Sequence, residues 1–326
     1  MTLAYFNPYS NTTFWEFFIQ LFTRMGQFLS GHLGWSDLAT DEVQILVLVG
    51  SALSATLIGS FLMLRKMTMM ANSLSHTILL GIVIAYLIYP VDVLQVFDTK
   101  VMLMAAVITG ILTAFCGEFL TKTAKLPEDA STGIVFTTLF ALGIVLVTLA
   151  TRDTHLGTEV VMGNVDGLNR EDCTLVFIVL GINLVILALF FKEFVVTTFD
   201  PGLARGLGIS CTAFNYLLMG LASLTVVSAF RAVGVLMVLS MITGPAMTAR
   251  LLAKELRPML AYAALLGVTA SLIGVALSRH LYTVYGLALS TAGIVVCVIV
   301  AQYVGTLFII RVVGPFFYHR VTETQR

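Results

Sequence analysis

Apolar runs of about twenty residues recur along this chain from residue 43 to residue 312, parted by short polar breaks. A helix rises 1.5 Å per residue, so such a run is long enough to cross roughly 30 Å of hydrocarbon. The runs lie near 43–64, 71–89, 101–120, 130–150, 173–191, 211–229, 232–252, 259–278 and 287–312. That makes nine, with eight to ten as the range, because a lone polar residue, Arg231, divides two of them. Only 11% of the 326 residues are charged and 58% are hydrophobic, against roughly 25% charged in a soluble domain. So few charges cannot cover a water-facing surface. In lipid every backbone polar group must be satisfied internally. The expected fold is therefore all-α, a polytopic membrane helical bundle.

The rest of the chain divides around this bundle. Residues 1–42 form an external or interfacial segment, 43–312 the transmembrane domain, and 313–326 a tail. Phe14 to Leu29 reads as an amphipathic interfacial helix, too short and too interrupted by Glu16 and Arg24 to span. The N-terminus lacks a basic region followed by a cleavage-like site, so no removable signal peptide is expected. The cysteines Cys116, Cys173, Cys211 and Cys297 form no CxxC pair and read as small buried residues.

Orientation follows from basic residues. With Arg65 and Lys66 in the cytoplasm and the runs alternating, the N-terminus is outside and the C-terminus cytoplasmic. Twelve basic and seven acidic residues then face inward, and six basic and eleven acidic face outward, a net +5 inside and −5 outside. The inner excess is the ordinary positive-inside bias. The outer acids, among them Asp41 and Glu42, suit a mouth that attracts cations. Solvated loop acids without a role are the other reading.

Four stretches carry possible chemistry. The first is Leu64-Arg65-Lys66-Met67 with the following Ala71-Asn72-Ser73-Leu74-Ser75-His76. A histidine two turns into an apolar helix is costly and points to function. Asn72 and His76 are spaced i, i+4 and share a helix face, where an amide oxygen and an imidazole could contact one divalent metal. A packing histidine bonded to a neighbour is the alternative. The second is the polar island Phe199 to Ile209. Asp200 and Pro201 are a helix-start pair, and Gly206 and Gly208 stop the helix within two turns. The expected product is a stubby helix across the membrane face, with Leu203 and Ala204 as a small apolar docking face and Arg205 exposed. The third is Phe230 to Leu252. Its small residues Gly244 and Ala246 allow close helix approach, and Pro245 supplies a kink. The fourth is the outer loop from His155 to Asp166, where Asp153, His155 and Glu159 are possible transient ligands.

Missing motifs narrow the class. The chain has no GxxxxGK[ST] and so does not hydrolyse ATP itself; HExxH and GxSxG are absent too. It is read as a transport subunit, not an enzyme. A secondary metal-cation transporter or channel is the alternative, though helix interiors nearly free of acids argue against ion-gradient coupling. A structural membrane protein would not need the island.

Together the island and the Ala232-Val233-Gly234…Pro245-Ala246 segment resemble the metal-transport permeases of ABC importers, the ABC-3 family serving zinc, manganese and iron. The resemblance covers roughly 43–312. It implies a bacterial cytoplasmic-membrane permease that forms the translocation path and uses no cofactor. Its partners would be a second permease copy or homologue, two copies of a separate ATPase, an external metal-binding protein and membrane lipid, with no nucleic acid. It makes Asp200, Pro201, Leu203, Ala204, Arg205, Gly206 and Gly208 the ATPase-coupling segment, His76 and Asn72 the metal contacts, and Gly244, Pro245 and Ala246 a hinge. The chain departs from the family where Ala71 and Asn72 replace a Gly-Asp pair, and where a segment with His280, Tyr282, Tyr285 and Gly286 replaces Asp-x-Pro-x-Gly. An amide binds metal more weakly than a carboxylate.

Overall fold

The computed structural model describes residues 8–9, 12–88, 99–151, 165–168 and 170–312. The tail 313–326 and the candidate ligands Asp153, His155 and Glu159 lie outside these residues.

Among the described residues the regular structure is entirely helical. The helices are α1 (Phe14–Leu29), α2 (Thr40–Leu64), α3 (Thr68–Ile88), α4 (Thr99–Thr123), α5 (Glu128–Thr151), α6 (Arg170–Leu189), α7 (Phe191–Phe199), α8 (Pro201–Gly206), α9 (Cys211–Val233), α10 (Val235–Leu252), α11 (Leu256–Tyr285) and α12 (Thr291–Val312). Six of the described helices, α2, α6 and α9–α12, are long and apolar enough to cross a membrane. The further long helices α3, α4 and α5 fall on the runs expected at 71–89, 101–120 and 130–150.

One boundary differs from expectation. Arg231 does not divide α9 from α10, since its backbone continues the helix. The break is Gly234, at φ +81°, a conformation that costs glycine little and other residues much. Val233, Gly234 and Val235 are buried, so the chain reverses inside the bundle.

α2 is the hub, buried along most of its length between α6, α9, α10 and α11. Asn215 of α9 meets Arg65, and Thr225 meets Ser54, so α9 runs antiparallel to α2. Ile242 of α10 crosses at Gly59, and Ala249 packs near Met63 and Leu64, so α10 runs parallel to it. At Gly59 a Cβ would lie 2.0 Å from the Ile242 carbonyl oxygen. Only glycine permits that approach, in keeping with small residues at membrane helix contacts. Midway along the hub the fully buried Asn183 of α6 donates to Ser54 Oγ (2.6 Å) and Thr225 Oγ1 (2.7 Å). A buried amide is stable only when so bonded.

At the N-terminal end of the hub, α1 packs against α11 and reaches α2 through Arg24 and Glu42. It buries Phe17 and Leu21 and exposes Trp15, Ile19 and Phe22. Glu16 accepts from the Thr13 N–H at 2.9 Å, which caps the helix start. Of the cysteines, Cys173 is buried, Cys116 and Cys211 are partly buried, and Cys297 is exposed, contrary to the expectation for it.

Candidate functional site

The island folds as a separate short helix at one end of the bundle. The Asp200 Oδ1 accepts from the Leu203 N–H at 2.9 Å, and Pro201 opens the helix. At its far end the Ile209 N–H donates to the Ala204 carbonyl (2.9 Å) and the Gly208 N–H to the Arg205 carbonyl (3.0 Å). This paired closure needs a left-handed residue just past the helix. Gly208 supplies it at φ +77°, while Gly206 is simply the last helical residue. Arg205 is exposed, as expected. The apolar face is not the one expected. Ala204 is fully buried in this chain and cannot offer itself to a partner, whereas Leu203, Leu207 and Phe199 are exposed. Of the six residues of α8, only Ala204 turns toward its own protein.

Next to the island sits a half-buried arginine. Arg65 caps the C-terminal end of α2, and its Nε donates to Thr198 Oγ1 (2.9 Å) and its Nη2 to Thr197 Oγ1 (2.7 Å), both on α7. Its Nη1 donates to Asn215 Oδ1 on α9. The Phe194 ring lies 5.8 Å from the guanidinium carbon, a cation–π distance. Burial lowers Arg65 to about 10, so it stays charged at neutral pH. The corner that follows repeats the closure of α8. The Met67 N–H donates to the Leu62 carbonyl (2.8 Å) and the Lys66 N–H to the Met63 carbonyl (3.0 Å), with Lys66 left-handed at φ 61°. A lysine in that conformation carries strain that glycine would not.

A cavity of about 350 Å³ opens where these parts meet. Met67 and Met70 of the α2–α3 corner, Glu118 and Lys122 of α4, Arg205 of α8 and Asn215 of α9 line it. Glu118 pairs with Lys122 and accepts from the Tyr216 hydroxyl.

His76 and Asn72 both lie on α3 and are partly buried. The imidazole packs against two rings of α5, Phe136 at 5.1 Å and Phe140 at 5.3 Å between centroids. Among the described residues no three His, Cys, Asp or Glu side chains come together to hold a metal. Any ion held by this pair would need further donors.

The stretch Gly244-Pro245-Ala246 lies inside α10, and the helix continues through Pro245. A Cβ on Gly244 would meet Ile299 of α12 at 2.3 Å, and Ala246 is fully buried. Two of the acids expected on the outer side are buried in ion pairs. Asp41 is buried against Arg279, whose Nε donates at 2.7 Å. Glu42 is buried against Arg24, and it also accepts from the Tyr9 hydroxyl and the Ala39 N–H, each at 2.8 Å.

Sequence reasoning passed over Asn183 and Asn215, a buried and a half-buried amide that hold helices together. A polar amide inside an apolar run is the signal that could have found them.

The comparisons with known proteins point one way. The model of the ABC 3 transport family matches residues 41–310. A probable metal transport system membrane protein of Chlamydia muridarum is 40% identical over 304 residues, covering 93% of this chain and 95% of that protein. A manganese transport system membrane protein of Halalkalibacterium halodurans is 38% identical over 222 residues, covering 67% and 71%. Among solved structures, PsaBC from Streptococcus pneumoniae in complex with Fab aligns with a TM-score of 0.71 and 25% identity, over 87% of this chain and 96% of that one.

Proposed function

From the premise that the chain belongs to the ABC 3 transport family, we propose that it is the permease subunit of an ABC importer for a divalent transition-metal ion, zinc, manganese or iron. Relatives bearing manganese and zinc transport names support that class. The chain pairs with a second permease, itself or a homologue, to form the path across a bacterial cytoplasmic membrane. Its N-terminus is outside and its C-terminus cytoplasmic. Two ATPases drive it, and an external binding protein delivers the ion.

The observation that carries this reading is α8. An importer must turn closure of an ATPase into helix movement, so it needs a firm element that the ATPase grips. α8 is capped at both ends by side-chain and backbone bonds and shows Leu203, Leu207 and Arg205 outward. The apolar pair seats in a groove of the ATPase, and Arg205 meets an acidic rim. On α3, His76 with Asn72 contacts the passing ion, and donors from the paired permease complete its coordination. Gly244, Pro245 and Ala246 form the hinge on which α10 adjusts.

Leu203→Glu tests the reading. The exposed position leaves the fold intact, since surface changes usually stay within about ±0.5 kcal/mol of neutral. The variant permease should reach the membrane folded, lose the ATPase on purification and stop ATP-dependent metal uptake into vesicles. Wild-type ATPase content with normal uptake, or uptake driven by a proton gradient without ATP, would overturn it. His76→Ala should abolish uptake with assembly intact; unchanged uptake would assign the ring to packing against Phe136 and Phe140.

A further inference from the structure

We propose that Arg65 is the positioning residue that ties displacement of α8 to displacement of α3. The inference rests on the coupling role proposed for α8 above.

α8 is held on two arms. α7 leads into it and ends at Asp200; α9 leads out of it and begins at Cys211. Arg65 grips both. Its Nε and Nη2 hold the hydroxyls of Thr198 and Thr197 on the first arm, and its Nη1 holds the amide oxygen of Asn215 on the second. Each threonine hydroxyl spends its own proton inside α7, Thr197 on the Glu193 carbonyl (2.7 Å) and Thr198 on the Phe194 carbonyl (2.6 Å). Their lone pairs are thereby left to accept from the guanidinium. One planar fork therefore clamps the two ends of the loop that carries α8.

The other side of the clamp is equally firm. Arg65 is the C-cap residue just past α2, and only Lys66 and Met67 separate it from α3. The two backbone bonds across that corner fix the direction in which α3 leaves. A shift of the arms thus reaches the start of α3, and with it Asn72 and His76, without crossing a flexible segment. The cavity bounded by Met67, Met70, Arg205 and Asn215 lies on the same corner and leaves room for the movement. Arginine suits the task where lysine does not. Its donors are fixed in a plane and can bond three acceptors on two helices at once, whereas an ammonium is a point charge on a loose stem.

The test uses the complete transporter, permease, ATPase and binding protein, reconstituted in vesicles with manganese ion as the probe. Two variants are compared with wild type, Arg65→Lys and the double variant Thr197→Val with Thr198→Val; the second leaves Arg65 in place in case the first fails to fold. The readout is manganese taken up per ATP hydrolysed, which a merely structural loss would not move. Couplings between sites typically correspond to about 5–150-fold, so the ratio should fall at least about fivefold while the ATPase stays bound and hydrolysing. A wild-type ratio in a folded variant, or uptake and hydrolysis falling together, overturns the inference. Leu203→Glu in parallel separates the premises. If it strips the ATPase while the Arg65 and threonine variants keep the wild-type ratio, only the Arg65 inference fails. If it changes nothing, the coupling role of α8 fails, and the Arg65 inference with it.

Discussion

In the orientation proposed above, the outer end of α2 buries two carboxylates against two arginines, and its inner end half-buries one arginine against neutral oxygens. The outer pairs reach far along the chain. Asp41 meets Arg279 on α11, and Glu42 meets Arg24 on α1. The carboxylates are buried while their arginines reach toward the surface, so losing an arginine leaves a buried, uncompensated carboxylate, which is costly. The described partners of Arg65 are two hydroxyls, an amide and a ring face. Such acceptors hold a charge at a helix C-terminus, where the backbone dipole also favours it, yet each is exchanged at far smaller cost. The same helix is thus anchored at one end and adjustable at the other. For a machine driven from the inner face, that is the useful way round.

The largest effect should come from the anchored end. Glu42→Ala removes one acceptor shared by Arg24, the Tyr9 hydroxyl and the Ala39 N–H, and losing these charge-assisted bonds together should cost about 3–5 kcal/mol, read as a large drop in the thermal midpoint of the purified protein. A loss below about 1 kcal/mol would mean that the outer end is not anchored, since that is the worth of an exposed pair. Thr197→Val removes one charge-assisted bond at the inner end and should cost about 1.5–3 kcal/mol, less than Glu42→Ala in the same assay. An equal or greater loss would erase the distinction.

The smallest effect concerns Tyr9. Tyr9→Phe removes a single neutral donor from Glu42 and should cost about 0.5–1.5 kcal/mol. Burial and the adjacent Glu42 push the phenol well above its usual range. A group whose folded value is raised contributes fully below its unfolded value, about 10, and loses that contribution as pH climbs through the folded one. The gap between wild type and Tyr9→Phe should therefore be constant near neutrality and shrink in alkali. A gap that widens there would reverse the sign of the assignment.

Much of this arrangement is written locally in the chain. The apolar runs set the helices, Thr13 with Glu16 marks the start of α1, and Asp200-Pro201 with Gly208 marks both ends of α8. Each of these signals acts within a few residues of itself. What stayed hidden depends on partners distant in sequence. Asp41 reads as a solvated acid until Arg279, 238 residues on, is folded against it. Ala204 reads as a docking residue because six residues carry too little pattern to tell an inward face from an outward one. The break at Gly234 is masked by the valines on either side, while the charge at Arg231 draws the eye three residues too early. For the metal contacts, the spacing of Asn72 and His76 is legible, but the rings of Phe136 and Phe140 around the imidazole are not.

The buried glycine between α9 and α10 bears on how the protein is made. With Gly234 alone between them, α9 and α10 share no connecting loop. We expect such a pair to enter the membrane side by side, as closed stems. Their seam then meets α2, already threaded as the first long helix, with Thr225 opposite Ser54 and Ile242 opposite Gly59. A bulky residue at 234 would be felt during insertion, as chains stalled and cleared by quality control, before it could be felt as a weaker fold.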